Sequence, residues 1–174
     1  MEKYKIGVVL GRFQMLHKGH ISLIDEAAKL SDKVVVLVGS ADKSNTIDNP
    51  FSFEERKEMI LNTRPNVIVL AINDLGVGNV YLWGDYLIDT IKKNNITPDL
   101  FLFGNEAKVD LWFRPEVLEN ITIKKISRDI IDISASRLRE EILDGKKDLW
   151  NQYMPKELDI YYDFIKNRLD SIKE

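Results

Sequence analysis

Five apolar runs separated by stretches of helical periodicity constrain this chain more tightly than anything else in it. The runs are Ile6–Leu10, Val34–Val38, Val67–Ile72, Leu100–Phe103 and a weaker, alternating one at Ile121–Ile126. Short, near-continuous apolar runs suit strands covered on both faces, and strands that alternate with helices build a parallel sheet. Between the first two runs, residues 19–30 place Ile21, Leu23, Ile24, Ala27, Ala28 and Leu30 mostly on one side of a helix. Ser52 followed by Glu55 has capping-box spacing and opens a second helix through about Leu61. Tyr81 to Lys93 reads as a third, and Ser136 to Leu143 as another with Gly145 as its stop. Pro155 then starts a final helix carrying Leu158, Tyr161, Tyr162, Ile165 and Leu169. The expectation is an α/β fold: a Rossmann-like open parallel sheet with helices on both faces, plus a C-terminal helix, as one domain over residues 1–174.

Composition narrows the function classes. With 44% hydrophobic and 30% charged residues, 174 residues bury an ordinary core. A net charge of −3, from 25 basic and 28 acidic side chains, argues against a dedicated nucleic-acid binder. The chain has no cysteine, which excludes disulfides, thiolate metal sites and a cysteine nucleophile. The first apolar run is too short for a signal peptide or a membrane span. These features point to a cytoplasmic protein without nucleic-acid or membrane partners.

The chemistry concentrates in Gly11-Arg12-Phe13-Gln14-Met15-Leu16-His17-Lys18-Gly19-His20, which follows the first strand and enters the first helix. In an open parallel sheet such a turn lies at the carboxyl end of a strand, where ligands bind. Gly11 and Gly19 allow a close backbone approach, and the amides opening a helix favour phosphate. His17 and His20, the only two histidines, are three apart and can face one side of a turn. With Arg12 they form a site for negative charge developing on phosphate. Two histidines without an HExxH glutamate or any cysteine make a poor zinc template.

His17-Lys18-Gly19-His20 resembles the HxGH signature of the nucleotidyltransferase superfamily. The longer Gly-Arg-Phe-Gln-x-x-His-x-Gly-His run is similar to the archaeal-type nicotinamide-mononucleotide adenylyltransferases, in which proline is usual where this chain has Met15. Ile133-Ser134-Ala135-Ser136-Arg137-Leu138-Arg139 is similar to the family's ISxTxIR element, with Ser136 in place of the usual threonine and Ala135 in place of a frequent glycine.

The resemblance implies the nucleotidylyl transferase fold and transfer of AMP from ATP to nicotinamide mononucleotide, with Mg²⁺ carried on the ATP. It implies catalytic roles for His17, His20, Arg12 and Arg139. Gly11, Phe13, Gln14, Gly19, Ser134, Ser136 and Arg128 would bind ATP, as would the Gly104-Asn105 turn. Trp83 would stack on the nicotinamide ring, Asn79 would read its carboxamide, and Lys43 and Arg56 would make phosphate or positioning contacts. The family's multimers imply a homo-oligomer. The chain is too short to add the Nudix hydrolase or kinase domain that some members carry, and it has no GxxxxGK[ST] loop. Two alternatives stand beside this reading. One is the same fold with another acceptor, such as FMN, nicotinate mononucleotide, phosphopantetheine or a cytidylyl reaction. The other is a non-catalytic nucleotide sensor.

Overall fold

The computed structural model describes residues 3–104, 107–127 and 134–173. Its strands are β1 (Tyr4–Gly11), β2 (Ser31–Val38), β3 (Ile68–Ala71), β4 (Leu100–Gly104) and β5 (Thr122–Ile126). Its helices are α1 (Lys18–Leu30), α2 (Phe53–Thr63), α3 (Tyr81–Lys92), α4 (Val109–Trp112), α5 (Pro115–Leu118), α6 (Ala135–Leu143), α7 (Asp148–Tyr153) and α8 (Tyr162–Ile172). The strands form one parallel sheet in the order β3-β2-β1-β4-β5. Gly7 pairs with Val34 on one side and Leu100 on the other, so β1 is the central strand.

The two-residue side-chain period of the strands splits the apolar runs between two cores. Val9, Val34, Val36, Val38, Leu100 and Leu102 pack with residues of α1, α2, α6 and α8. Val8, Val35, Leu37, Phe101 and Phe103 pack on the other face with α3 and α4. Each run is therefore continuous in sequence because both of its faces are covered. The capping box of α2 forms as the spacing predicts: Glu55 N–H donates to Ser52 Oγ at 3.2 Å, and Ser52 N–H donates to Glu55 Oε1 at 2.9 Å.

The C-terminal end departs from expectation. Pro155 opens not one helix but a 3₁₀ segment, Lys156–Tyr161, and only then does α8 begin. The tight segment seats Leu158 in the core and lets Asp159 accept from the Trp150 indole at 2.8 Å. The short helices α4 and α5 also escaped the periodicity, since four residues do not complete an amphipathic repeat. The first of them, α4, docks against α3 through a notch at Gly84, where a Cβ would lie 1.9 Å from the carbonyl oxygen of Trp112.

Candidate functional site

A cavity of about 480 Å³ lies over the carboxyl ends of β1, β4 and β5. Successive strands run outward from β1 to β2 and β3, and the chain then crosses back to place β4 on the other side of β1. This reversal opens the crevice that ligands occupy in open α/β sheets.

The β1–α1 loop forms one wall, contributing Gly11, Arg12, Phe13, Gln14, His17, Gly19 and His20. Phe13 is in the left-handed region (φ 52°) with its ring folded back over Gly11, where a Cβ would come within 3.1 Å of it. Gln14 is buried and clamped by both ends of its amide to the backbone of Phe51, at 2.9 Å each. Met15, standing where proline is usual, is fully buried, so the core and the Gln14 clamp hold this turn.

The two histidines cap α1 for each other. Gly19 N–H donates to His17 Nδ1 at 3.1 Å, and His17 N–H donates to His20 Nδ1 at 3.2 Å. The rings stack with centroids 3.9 Å apart. Because each Nδ1 accepts, each neutral ring carries its proton on Nε2 and is an Nε2–H donor. The helix start therefore sets both tautomers in the wall of the cavity.

The opposite wall comes from α6 and the ends of β4 and β5, with Gly104, Ser134, Ser136 and Arg139 among its residues. Ser134 caps α6, accepting from Arg137 N–H at 3.2 Å. Arg139 is only 7% exposed. It donates to the carbonyl of Gln14 and, at 3.3 Å, to Ser136 Oγ, which joins the two motifs across 125 residues. Burial, and behind it the like charge of Arg12, holds the Arg139 guanidinium below its ordinary value, while Asp48 and Glu140 act the other way.

Two predicted residues, Arg56 and Lys43, line neither this cavity nor the smaller pocket beside it. Arg56, 1% exposed, lies behind the loops and donates to four backbone carbonyls: Ser52 at 3.1 Å, Arg12 at 2.8 Å, Gly39 at 2.7 Å and Ser40 at 3.0 Å. It ties the loops after β1 and β2 together from below, in a positioning place rather than at a phosphate. Burial first, then Arg12, pulls it down to about 10, still a cation at neutral pH. Lys43 pairs with Asp74 at 2.7 Å. The hydrogen bond from Lys43 is the main force keeping the Asp74 carboxyl below its ordinary range, and Ser40 Oγ adds a second donor at 3.0 Å.

A second pocket, of about 310 Å³, shares Leu10 with the first. Its wall includes Trp83 and Asn79, the predicted acceptor contacts, together with Asp74, Trp112 and the Leu75–Gly78 segment. Asn105 and Arg128, expected at the nucleotide, lie outside the described residues. Sequence reasoning missed Ser40, Asp74 and Trp112. The one signal that could have found Trp112 was Gly84, a glycine inside a helical pattern, which marks a close approach. Among the described residues no group of three His, Cys, Asp or Glu could hold a metal, and no helix is long and apolar enough to cross a membrane.

Residues 8–168 match the model of the Cytidylyltransferase-like family. The chain is 27% identical over 159 residues to the nicotinamide-nucleotide adenylyltransferase of Thermococcus kodakarensis, covering 87% of this chain and 79% of that protein. It is also 27% identical over 165 residues to the Pyrococcus furiosus protein of the same name, covering 90% of this chain and 82% of that protein. Among solved structures, it superposes with a TM-score of 0.74 and 26% identity on a bifunctional NMN adenylyltransferase/ADP ribose pyrophosphatase from Francisella tularensis, complexed with AMP and a Mn ion. That match covers 96% of this chain but 49% of the Francisella chain, so this chain spans about half the length of that protein.

Proposed function

The chain belongs to the cytidylyltransferase-like family, and from that premise we propose that it transfers the adenylyl group of ATP to nicotinamide mononucleotide, forming NAD and pyrophosphate. The observation that carries the reading is the convergence of Arg12, His17, His20 and Arg139 on the walls of one cavity at the sheet's switch point. The names of the archaeal relatives support the choice of acceptor.

A 5′-phosphate oxygen of the mononucleotide attacks the α-phosphorus of ATP in line. A new P–O bond forms as the bond from the α-phosphorus to the α,β-bridging oxygen breaks, and pyrophosphate departs with that electron pair. No residue of the chain is covalently engaged. Catalysis is positioning plus stabilisation of charge that grows on the phosphate oxygens. The Nε2–H groups of His17 and His20, whose Nδ1 atoms are taken up by the amides that open α1, serve the α- and β-phosphates. Arg12 and Arg139 neutralise the departing pyrophosphate. Burial first, and then the like charge of Arg12, lower Arg139, and a polyanion bound between the two cations would offset that repulsion. Gly11, Phe13, Gln14, Gly19, Gly104, Ser134 and Ser136 shape the ATP cavity. Arg56 acts through the carbonyls that fix the Arg12 loop. Trp83 stacks on the cationic pyridine ring in the second pocket, with Asn79 beside it.

The arginines and the histidine N–H groups of the cavity fit the phosphates rather than a metal, so Mg²⁺ would be held by the phosphates of ATP and water and would add charge neutralisation on the phosphate oxygens.

The test is pyrophosphate release from ATP·Mg²⁺ with a panel of acceptors, each product identified by mass. Release with nicotinamide mononucleotide, giving NAD, is the expected result. Release only with another acceptor keeps the phosphate chemistry and overturns the acceptor. ATP binding with no release for any acceptor overturns the enzyme reading in favour of a nucleotide sensor.

A further inference from the structure

We propose that Trp112 is a positioning residue of the acceptor subsite, where its indole N–H fixes the orientation of Asn79 and its ring forms a second aromatic wall with Trp83. The inference rests on the reading of the 310 Å³ pocket as the mononucleotide's. An indole nitrogen can only donate, so the end of the Asn79 amide that meets it at 2.8 Å must be the oxygen. That leaves Nδ2, with two N–H donors, as the end of Asn79 offered to a ligand oxygen, such as the carbonyl of a carboxamide. Without Trp112, either end of the amide could turn to the pocket.

The α4 segment is held firmly enough to set this orientation. The Gly84 notch admits the Trp112 backbone against α3. The Trp112 ring packs edge-on against Phe103, with centroids 5.5 Å apart at 85°. Two residues on, Arg114 pairs with Asp85 at 3.1 Å and lies over the Tyr81 ring at 5.1 Å. The Asn79 side of the contact is the weaker partner. Residues 73–80 are exposed, and among the described residues their other side-chain anchors are at the far end: Asn73 N–H donates to Tyr86 Oη, Asp74 N–H donates to Asp42 Oδ1, and the Asp74 carboxylate accepts from Ser40 Oγ and pairs with Lys43. Trp112 thus supplies the anchor beside Trp83, and both indoles line the pocket that takes a flat, cationic ring.

The test is steady-state kinetics of the full chain with ATP·Mg²⁺ and nicotinamide mononucleotide, for wild type, W112F, N79A and the double variant. W112F keeps an aromatic wall and deletes the N–H. It should raise KM for the mononucleotide roughly fivefold, the effect of one hydrogen bond, with kcat and KM for ATP changed by less than about twofold. The double variant should be no worse than N79A alone, because Trp112 acts through Asn79. If W112F fails to fold, N79D keeps the acceptor for the indole while removing the donors, and it should raise the same KM alone. An unchanged mononucleotide KM in W112F or N79D, an additive double variant, or a rise in the ATP KM in step would overturn the inference and leave the proposed reaction standing. A wild-type chain that does not turn over the mononucleotide overturns that reaction and the inference with it.

Discussion

The cavity and the pocket that meet at Leu10 are built by different means. Around the cavity, Arg12, Ser134 and Ser136 are exposed, but Gln14, His17, Arg139 and, behind the loops, Arg56 are buried polar groups with fixed partners. Gln14 is clamped at both ends, Arg139 crosses between the two motifs, and Arg56 uses its guanidinium on backbone carbonyls beneath the loops. The histidines cap the helix that presents them. In the pocket, the loop from Asn73 to Val80 is exposed and held by single hydrogen bonds and one surface ion pair. Charge stabilisation at a reacting phosphate rewards fixed donors, because a donor that must reorganise loses its advantage at the moment of reaction. Recognition of an acceptor ring needs a flat surface and a few polar contacts, which a loop supplies at lower cost in buried polar groups.

The largest effect that would break this division is at His20. Asparagine can keep an acceptor near the Nδ1 position, and so retain the cap on His17 N–H, while removing Nε2–H. His20→Asn should lower kcat by about 10²-fold or more, with little change in melting temperature and in the mononucleotide KM. Turnover near wild type, with the fold intact, would remove His20 from the transition state and make the mutual capping its whole purpose.

A smaller effect is expected across Leu10. Trp83→Ala should raise KM for the mononucleotide by roughly tenfold, about 1.4 kcal/mol, because stacking is present before and during reaction. Both kcat and KM for ATP should stay within about twofold. A matching rise in KM for ATP would show that the two compartments are not separate and that Trp83 serves the nucleotide.

The same contrast explains what the sequence disclosed. The sheet could be read because both of its faces are covered, so each strand is a continuous apolar run, as at Val34–Val38. The cavity could be read because its chemistry is packed into two short segments, one at each of the strand-to-helix and loop-to-helix starts. For Arg56 the sequence leaves a phosphate contact and a positioning contact equally open, because Glu-Glu-Arg on a helix gives no hint that the guanidinium will turn inward to four carbonyls. The histidine capping box was hidden because Ser, Thr, Asp and Asn are the residues that announce a helix start, and His17 is none of them. Trp112 was invisible because its meaning comes from Gly84 and Asn79, distant in sequence and brought together only by the docking of α4 on α3.

The smallest expected effect concerns the brace behind the cavity loop. Arg168 on α8 makes a two-pronged pair with Glu55, at 2.7 Å for each bond, and also donates to the Pro50 carbonyl at 3.0 Å. This connects the C-terminal helix to the segment whose Phe51 backbone clamps Gln14. Burial pushes the Glu55 carboxyl up, but the hydrogen bonds from Arg168 and Ser52 outweigh it and leave the group below its ordinary value of 4.5. A carboxyl lowered in the folded state stabilises the fold above its unfolded value, and that contribution fades as pH drops through the lowered one. Glu55→Gln retains a capping-box residue while removing the charge, so it isolates the ion pair. Thermal unfolding should show the variant less stable than wild type by about 1 kcal/mol at pH 7, with the gap closing below about pH 4.5 as wild-type Glu55 protonates. A gap that persists undiminished at pH 3 would mean that the charge is not what Arg168 reads. The brace would then be one of shape, like the aromatic contacts of the acceptor pocket, and the contrast between the two compartments would end at the cavity wall.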